Sequence, residues 1–390
     1  MKKQLLLTTI LLTVIMSYAQ TKIESSIEQN YNGSSYTNLQ GSNYEYDGNG
    51  NGNLISESSF SWNSSEWIQS FKVLYTYNSN NKVTEELEQN WDGSQYVNSY
   101  RVLYTYNSND LLTVILDQDW NNNQWENSYR TNVSYNSNEI SDGISQEWNG
   151  SQWVNSDRST FTYSGNNLTQ VLNEDWNGTQ WSSVDSDRTV FTYNANNKKT
   201  TYIIETWNGT SWDEEERTEY ILDGSENRIS ETEIYNGSNQ GKSEYNYDTS
   251  ALLNNFSHPF KDKTGVDYIF EDFPYVNKIT SQTILSYNSS TSNFDISGRI
   301  TYDYDNPITL STQNFEVINK VSIYPNPVNI YLNIKTTNAI KTIEIYNILG
   351  LKVRTSNSTK INMEQLSDGV YTIKIIDIKG NKSIKKFIKK

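Results

Sequence analysis

Cysteine is absent from the 390 residues, and histidine occurs once, at His258. Without cysteine there are no disulfides, so stability must come from packing and backbone ladders even if the chain is exported. With one histidine there is no pair for a zinc site. A Ser-His-Asp arrangement could use only His258, which stands beside Pro259 with no G-x-S-x-G nearby. No P-loop, dinucleotide fingerprint or H-E-x-x-H is present. Long apolar runs are also missing, with one exception. Leu5–Met16 follows Lys2-Lys3 and precedes Ser17-Tyr18-Ala19, the pattern of a secretory signal over residues 1–19 cleaved between Ala19 and Gln20. About a dozen apolar residues are too few for a membrane-spanning helix, and no later segment comes closer. A Sec-type route, with no transmembrane segment, is expected.

Aromatic residues are plentiful, with 29 Tyr, 11 Trp and 11 Phe, while proline is limited to 5. Together with abundant Thr, Ile and Val and frequent Asn, Ser and Gly, this composition points to strands joined by short turns. Charge is divided unevenly. Val321–Lys390 carries 12 Lys and Arg against 4 Asp and Glu, whereas residues 20–320 carry 17 against 42. Two differently built parts follow, and the acidic one should repel nucleic acid.

A repeat organises the acidic part. YNGSSY starts at Tyr31, WNSSEW at Trp62, WDGSQY at Trp91, WNNNQW at Trp120 and WNGSQW at Trp148. WNGTQW follows at Trp176, WNGTSW at Trp207 and a degraded YNGSNQ at Tyr235, in steps of 28 to 31 residues. All 11 tryptophans lie in this motif. A second landmark, Tyr44-x-Tyr46, Tyr75-x-Tyr77, Tyr104-x-Tyr106 and their successors, precedes turn-like runs such as NSNN. Two turns per repeat, with segments of roughly ten residues between them, predict an antiparallel meander of β-hairpins. The expected layout is a repeat region at 20–250, a diverged capping repeat and linker at 251–320, and a separate domain at 321–390. The fold class is all-β, an elongated meander followed by a small β-sandwich.

Loop length sets register, so Trp148 should face Trp153 and Tyr163 should face Leu168. Simple alternation from Trp153 places Asn155, Asp157, Ser159, Phe161 and Tyr163 on one aromatic face. The recurrent base ten residues after the first Trp (Lys72, Arg101, Arg130, Arg158, Arg217) then falls on the opposite, polar face as a cross-strand charge ladder. Two residues from the tips, Gln89, Gln118 and Gln146 should oppose Asn98, Asn127 and Asn155, while Glu205 and Glu214 would set like charges opposite each other. Indole faces interleaved with carboxamides suit sugar binding, so Trp120, Trp125, Trp148, Trp153, Trp176, Trp181, Asn127 and Asn155 form a candidate glycan platform. The alternative is that these groups ladder against one another and serve the sheet itself. Asp47-Gly-Asn-Gly-Asn-Gly52 matches half of a calcium loop, but Ser58 stands where a bidentate Glu is needed. It reads as a flexible turn. No metal, cofactor or catalytic residue is assigned.

At the C-terminal end, Tyr324-Pro325-Asn326-Pro327, IYNILG ending at Gly350, Gly369-Val-Tyr371 and the closing Lys389-Lys390 occur in order. Residues 321–390 thereby resemble the type A sorting domain of the type IX secretion system of Bacteroidota. The resemblance implies a small β-sandwich recognised by that machinery, with the cargo left on the cell surface or released. Residues 20–250 loosely resemble YD/Rhs repeats, on the strength of Tyr44-Glu-Tyr-Asp-Gly. The function expected is that of a non-enzymatic interaction or adhesion protein, secreted or on the outer surface. Its partners would be extracellular glycans or surface proteins, with no nucleic acid. A glycan-binding module is the alternative, and a polysaccharide-degrading enzyme a weaker one.

Overall fold

Each Trp-flanked tip is a turn fixed by its own side chains. In Trp148–Trp153, Asn149 Oδ1 accepts from the backbone N–H of Ser151 and Gln152, both at 3.0 Å. Gly150 supplies the left-handed φ of 92° that this turn requires. The strands leaving the tip pair Trp148 with Trp153, and at the other end Tyr163 pairs with Leu168, as loop length dictates. The computed structural model describes residues 22–48, 52–270, 273, 275–310, 321–336, 338–347, 352–378 and 382–390. The expected signal segment with Ala19 and Gln20, Asn49–Asn51 of the calcium-like turn, and Gly350 lie outside them.

The chain divides into two units, Met1–Thr309 and Leu310–Lys390. In the first, β1 (Ser25–Tyr31) and β2 (Tyr36–Tyr46) open a run of antiparallel hairpins. It continues with β3 (Leu54–Trp62), β4 (Trp67–Tyr77), β5 (Val83–Trp91), β6 (Tyr96–Tyr106), β7 (Leu112–Asn121) and β8 (Gln124–Asn136). Next come β9 (Glu139–Trp148), β10 (Trp153–Ser164), β11 (Asn167–Trp176), β12 (Trp181–Tyr193), β13 (Lys199–Trp207) and β14 (Trp212–Leu222). The last are β15 (Arg228–Tyr235), β16 (Ser238–Leu252), β17 (Asn277–Asn288) and β18 (Asn293–Asp303). β18 pairs back onto β1, so the meander of hairpins closes into a barrel of 18 strands. Closure removes the free edges that an open sheet of this length would expose.

One connection is long. Leu253–Val276 joins β16 to β17, and its described residues run inside the barrel. Phe273 borders a cavity of about 400 Å³ walled by Tyr44, Tyr75 and Tyr104, and another of about 540 Å³ walled by Tyr163, Tyr193 and Leu222. From Tyr75 on β4 to Tyr193 on β12 the path along the wall is about 38 Å, at about 4.8 Å per strand. A single phenyl group can border both sets only from the interior. The Tyr-x-Tyr face is therefore the inner one, and this segment plugs the end of the barrel where the Tyr-x-Tyr turns lie.

The register corrects the face assignment. A bulge between Asn155 and Asp157 and another between Thr162 and Tyr163 each shift the pairing. Equivalent shifts recur in the other repeats, for example at Glu88/Gln89 and Thr105/Tyr106. Each bulge resets the alternation. Trp153 and Asn155 therefore stay outside with Arg158, while Asp157, Ser159, Phe161 and Tyr163 turn inward.

The second unit holds a three-stranded sheet, β19 (Ser322–Tyr324), β20 (Tyr331–Lys335) and β23 (Lys360–Asn362). A four-stranded sheet is formed by β22 (Lys352–Ser356), β21 (Ile340–Tyr346), β24 (Gly369–Asp377) and β25 (Lys382–Lys389). Both sheets bury alternate residues in one core, with Leu332 and Ile334 from the first and Ile343, Ile345, Ile373, Ile375 and Phe387 from the second. Asn326 ties the YPNP loop to β25, accepting from Ile388 N–H at 2.8 Å and donating to the Lys386 carbonyl at 3.3 Å. Tyr371 is buried and donates to the Ser367 carbonyl, and Lys389 Nζ lies 3.4 Å from Asp368.

Candidate functional site

On the outer wall, the repeat builds the same group of side chains again and again. Arg130 Nε donates to Gln146 Oε1 at 2.7 Å, and Gln146 Nε2 donates to Asn155 Oδ1 at 2.8 Å. The Arg130 guanidinium lies 4.6 Å over the Trp153 ring. Arg101, Gln118, Asn127 and Trp125 repeat this arrangement one repeat earlier. At the seam, Arg299 of β18 donates to Gln29 of β1 and covers Tyr36 of β2 at 3.9 Å. The seam between last and first strands is thus closed by the same contacts as the body of the wall.

The arginines therefore stand on the tryptophan face, contrary to the polar-face expectation, because the bulge turns them outward. Where glutamine gives way to glutamate the pair becomes ionic: Arg158 with Glu174 and Arg188 with Glu205, both at 2.5 Å. The like charges at Glu205 and Glu214 are separated in this way, since Glu214 turns to Arg217 at 2.5 Å.

All the candidate platform tryptophans are half-buried. Trp120–Trp125, Trp148–Trp153 and Trp176–Trp181 meet at ring-centroid distances of 4.8, 5.2 and 4.9 Å, near edge-to-face. The second ring of each pair carries a guanidinium from the preceding hairpin. Asn127 and Asn155 lie beside them and accept through Oδ1, so their amide nitrogens are not used in that bond.

The inner wall was not foreseen. In most repeats the tyrosine that ends this landmark donates its hydroxyl to the carbonyl near the start of an earlier strand. Tyr77 reaches Leu54 at 2.8 Å, Tyr106 reaches Val83 at 2.7 Å and Tyr135 reaches Leu112 at 2.8 Å. Tyr193, Tyr247 and Tyr304 do the same further round. Burial raises these phenols above their ordinary range at Tyr77, Tyr106, Tyr135, Tyr247 and Tyr304. The step of 23 residues shared by the Tyr77, Tyr106 and Tyr135 pairs was the available signal in the sequence.

Inward alternation also gathers carboxylates, among them Glu86, Glu88, Asp117, Glu147, Asp157 and Asp175. Tyr100 donates to Asp117 and Tyr129 to Asp157, each at 2.6 Å, and burial raises the Asp117 carboxyl. At the tip end, the inward neighbours Ile68, Val97 and Val154 are 40, 37 and 39 % exposed, so solvent reaches the interior there. His258 sits in the plug, buried, with its pKa lowered to about 4 by burial and then by the Lys261 charge. Its Nδ1 has no hydrogen-bond partner, and no nucleophile–base pair forms on it. Asp47 caps its own turn, accepting from the Asn53 backbone and side chain at 3.2 and 3.3 Å.

Residues 322–390 match the family described as the secretion system C-terminal sorting domain. The match implies passage through the type IX machinery and a secreted or cell-surface location. None of the curated proteins compared with the chain matches it. Among solved structures, a protein of unknown function from Bacteroides fragilis is 20 % identical, covering 31 % of this chain and 90 % of its own, with a TM-score of 0.27. A porin-like protein from Bacteroides uniformis is 9 % identical over 73 % of this chain and 97 % of its own, with a TM-score of 0.36. The Tc holotoxin pore of Photorhabdus luminescens is 10 % identical over 82 % of this chain and 16 % of its own, with a TM-score of 0.23.

Proposed function

We propose that the barrel is a non-enzymatic interaction module, delivered to the cell surface or the medium, whose contact surface is its outer belt of tips. The observation that carries this reading is repetition. The aromatic pair and the arginine with its carboxamide or carboxylate acceptor recur from hairpin to hairpin and across the seam, which suits multivalent adhesion. A catalytic pair would instead need one environment unlike the rest. The outer wall is unsuited to lipid. Arg101, Arg130, Arg158 and Arg188 stand along it with Glu174 and Glu205, where a membrane barrel keeps an apolar band about 25 Å tall.

A second reading is favoured by one detail, the carboxamides of Asn127 and Asn155, which accept through Oδ1 beside half-buried indoles: the belt takes glycans. A glycan array and a cell-adhesion assay on the barrel, wild type and with Trp148→Ala plus Trp153→Ala, test both. Adhesion weakened by the substitutions with a blank array supports protein contacts, and array signals lost on substitution support glycans. Adhesion and array signals indifferent to the substitutions would remove the belt from function.

A further inference from the structure

The plugged end of the barrel is uneven, and the unevenness falls at a cavity of about 540 Å³. Most turns there have five residues, as between β4 and β5, β6 and β7, β12 and β13, and β14 and β15. Each is closed by its first side chain; Asn107 Oδ1, for instance, accepts from Asn109 and Leu111 N–H. Between β8 and β9 only Ser137 and Asn138 remain, and between β10 and β11 only Gly165 and Asn166, both with tight left-handed openings. Counted between paired residues, these turns hold four residues (Tyr135 to Ile140, Tyr163 to Leu168) where Tyr106 to Leu112 holds five, so the rim is one residue shorter at these two neighbouring turns.

Directly beneath is the cavity of about 540 Å³, within the roughly 300–1,000 Å³ of small-molecule sites. Its apolar side includes Ile140, Leu168, Val266 and Ile269, the last two from the plug, and Tyr135, Tyr163 and Tyr193 stand among them. The tyrosine clasp is incomplete at this place. Tyr163 approaches the Ile140 carbonyl by the usual step, yet its buried hydroxyl lacks hydrogen-bond geometry to any partner. The mouth carries Asn138, Asn166, Asn167 and Asn197. The cations at its edge are engaged, Lys198 with Glu226 at 3.9 Å and Lys199 over the Phe191 ring.

We infer that this cavity binds a small neutral saccharide unit through the short turns of β8–β9 and β10–β11. Carboxamides both donate and accept, as sugar hydroxyls do, and aromatic and aliphatic walls suit the C–H faces of the ring. Engaged cations at the edge favour an uncharged ligand. This site is separate from the outer belt and stands or falls without it.

The test titrates the full chain with cellobiose, maltose and N,N′-diacetylchitobiose, followed by saturation-transfer NMR. Saturable binding of at least one is expected. Asn138→Ala with Asn166→Ala, on exposed turns, should weaken it at least tenfold, and Val266→Trp should abolish it by filling the cavity. Trp148→Ala with Trp153→Ala should leave it unchanged. Absence of binding by all three sugars, wild-type affinity in the Asn variant, or loss of binding in the belt variant overturns the assignment. A thermal melt checks folding of Val266→Trp, and the Asn variant decides the matter if that protein does not fold.

Discussion

Arg130 shows how one residue serves two neighbours at once, stacking on Trp153 and donating to Gln146. Arg130→Gln removes a cation–π contact of about 0.5–1 kcal/mol and a hydrogen bond of about the same size. The expected loss is about 1–2 kcal/mol, read from the urea midpoint. Gln146→Glu should be nearly neutral, within about 0.5 kcal/mol, because it copies the Arg158–Glu174 pair already present. A loss as large as that of Arg130→Gln would mean that the carboxamide is required for its bond to Asn155. The pairing of Gln146 with Asn155 was legible in the sequence, because hairpin loop length fixes register. The arginine's place over an indole was not, since it depends on a bulged residue that leaves no mark in composition.

At the scale of strands, the repeat makes the tips, the second turns and the antiparallel order readable in the sequence. Two things escaped, for physical reasons. Alternation counted along β10 carried Asp157 and Phe161 to the wrong face, because a bulge costs one residue and flips everything after it. The plug has no period at all, and its helical turn at Asp267–Phe270 is too short to announce itself. A third element lies over the outer wall. After β18 the chain crosses β2, where Ile308 N–H donates to Asn43 Oδ1 at 2.6 Å and Asn43 Nδ2 donates to the Ile308 carbonyl at 2.9 Å. A Cβ on Gly41 would meet the Ile308 side chain, with the Trp67 ring 3.3 Å away. Gly41→Leu should therefore cost about 1–3 kcal/mol through overpacking. Ile308→Ala should recover part of that loss, so a double-mutant cycle reports the coupling. Equal losses in both backgrounds would show that the strap does not press on Gly41.

For the whole molecule, closure converts local contacts into a ring, and the buried phenols make its integrity depend on pH. A phenol raised by folding holds its proton longer than in the unfolded chain, where it titrates near pH 10. Between those two values the folded state binds more protons than the unfolded one, so stability falls as pH rises. The contribution is complete below about pH 10 and is lost progressively above it. Tyr77, Tyr106, Tyr247 and Tyr304 all lie in this class, and ionising any of them ends its donation to a strand carbonyl. The barrel should then unfold in one alkaline transition above pH 10, with phenolate absorbance at 295 nm and the loss of far-UV β signal rising together. Phenolate absorbance developing around pH 10 with the β signal intact would show the clasps ionising in place, and the ring would have to be held by its backbone ladder alone.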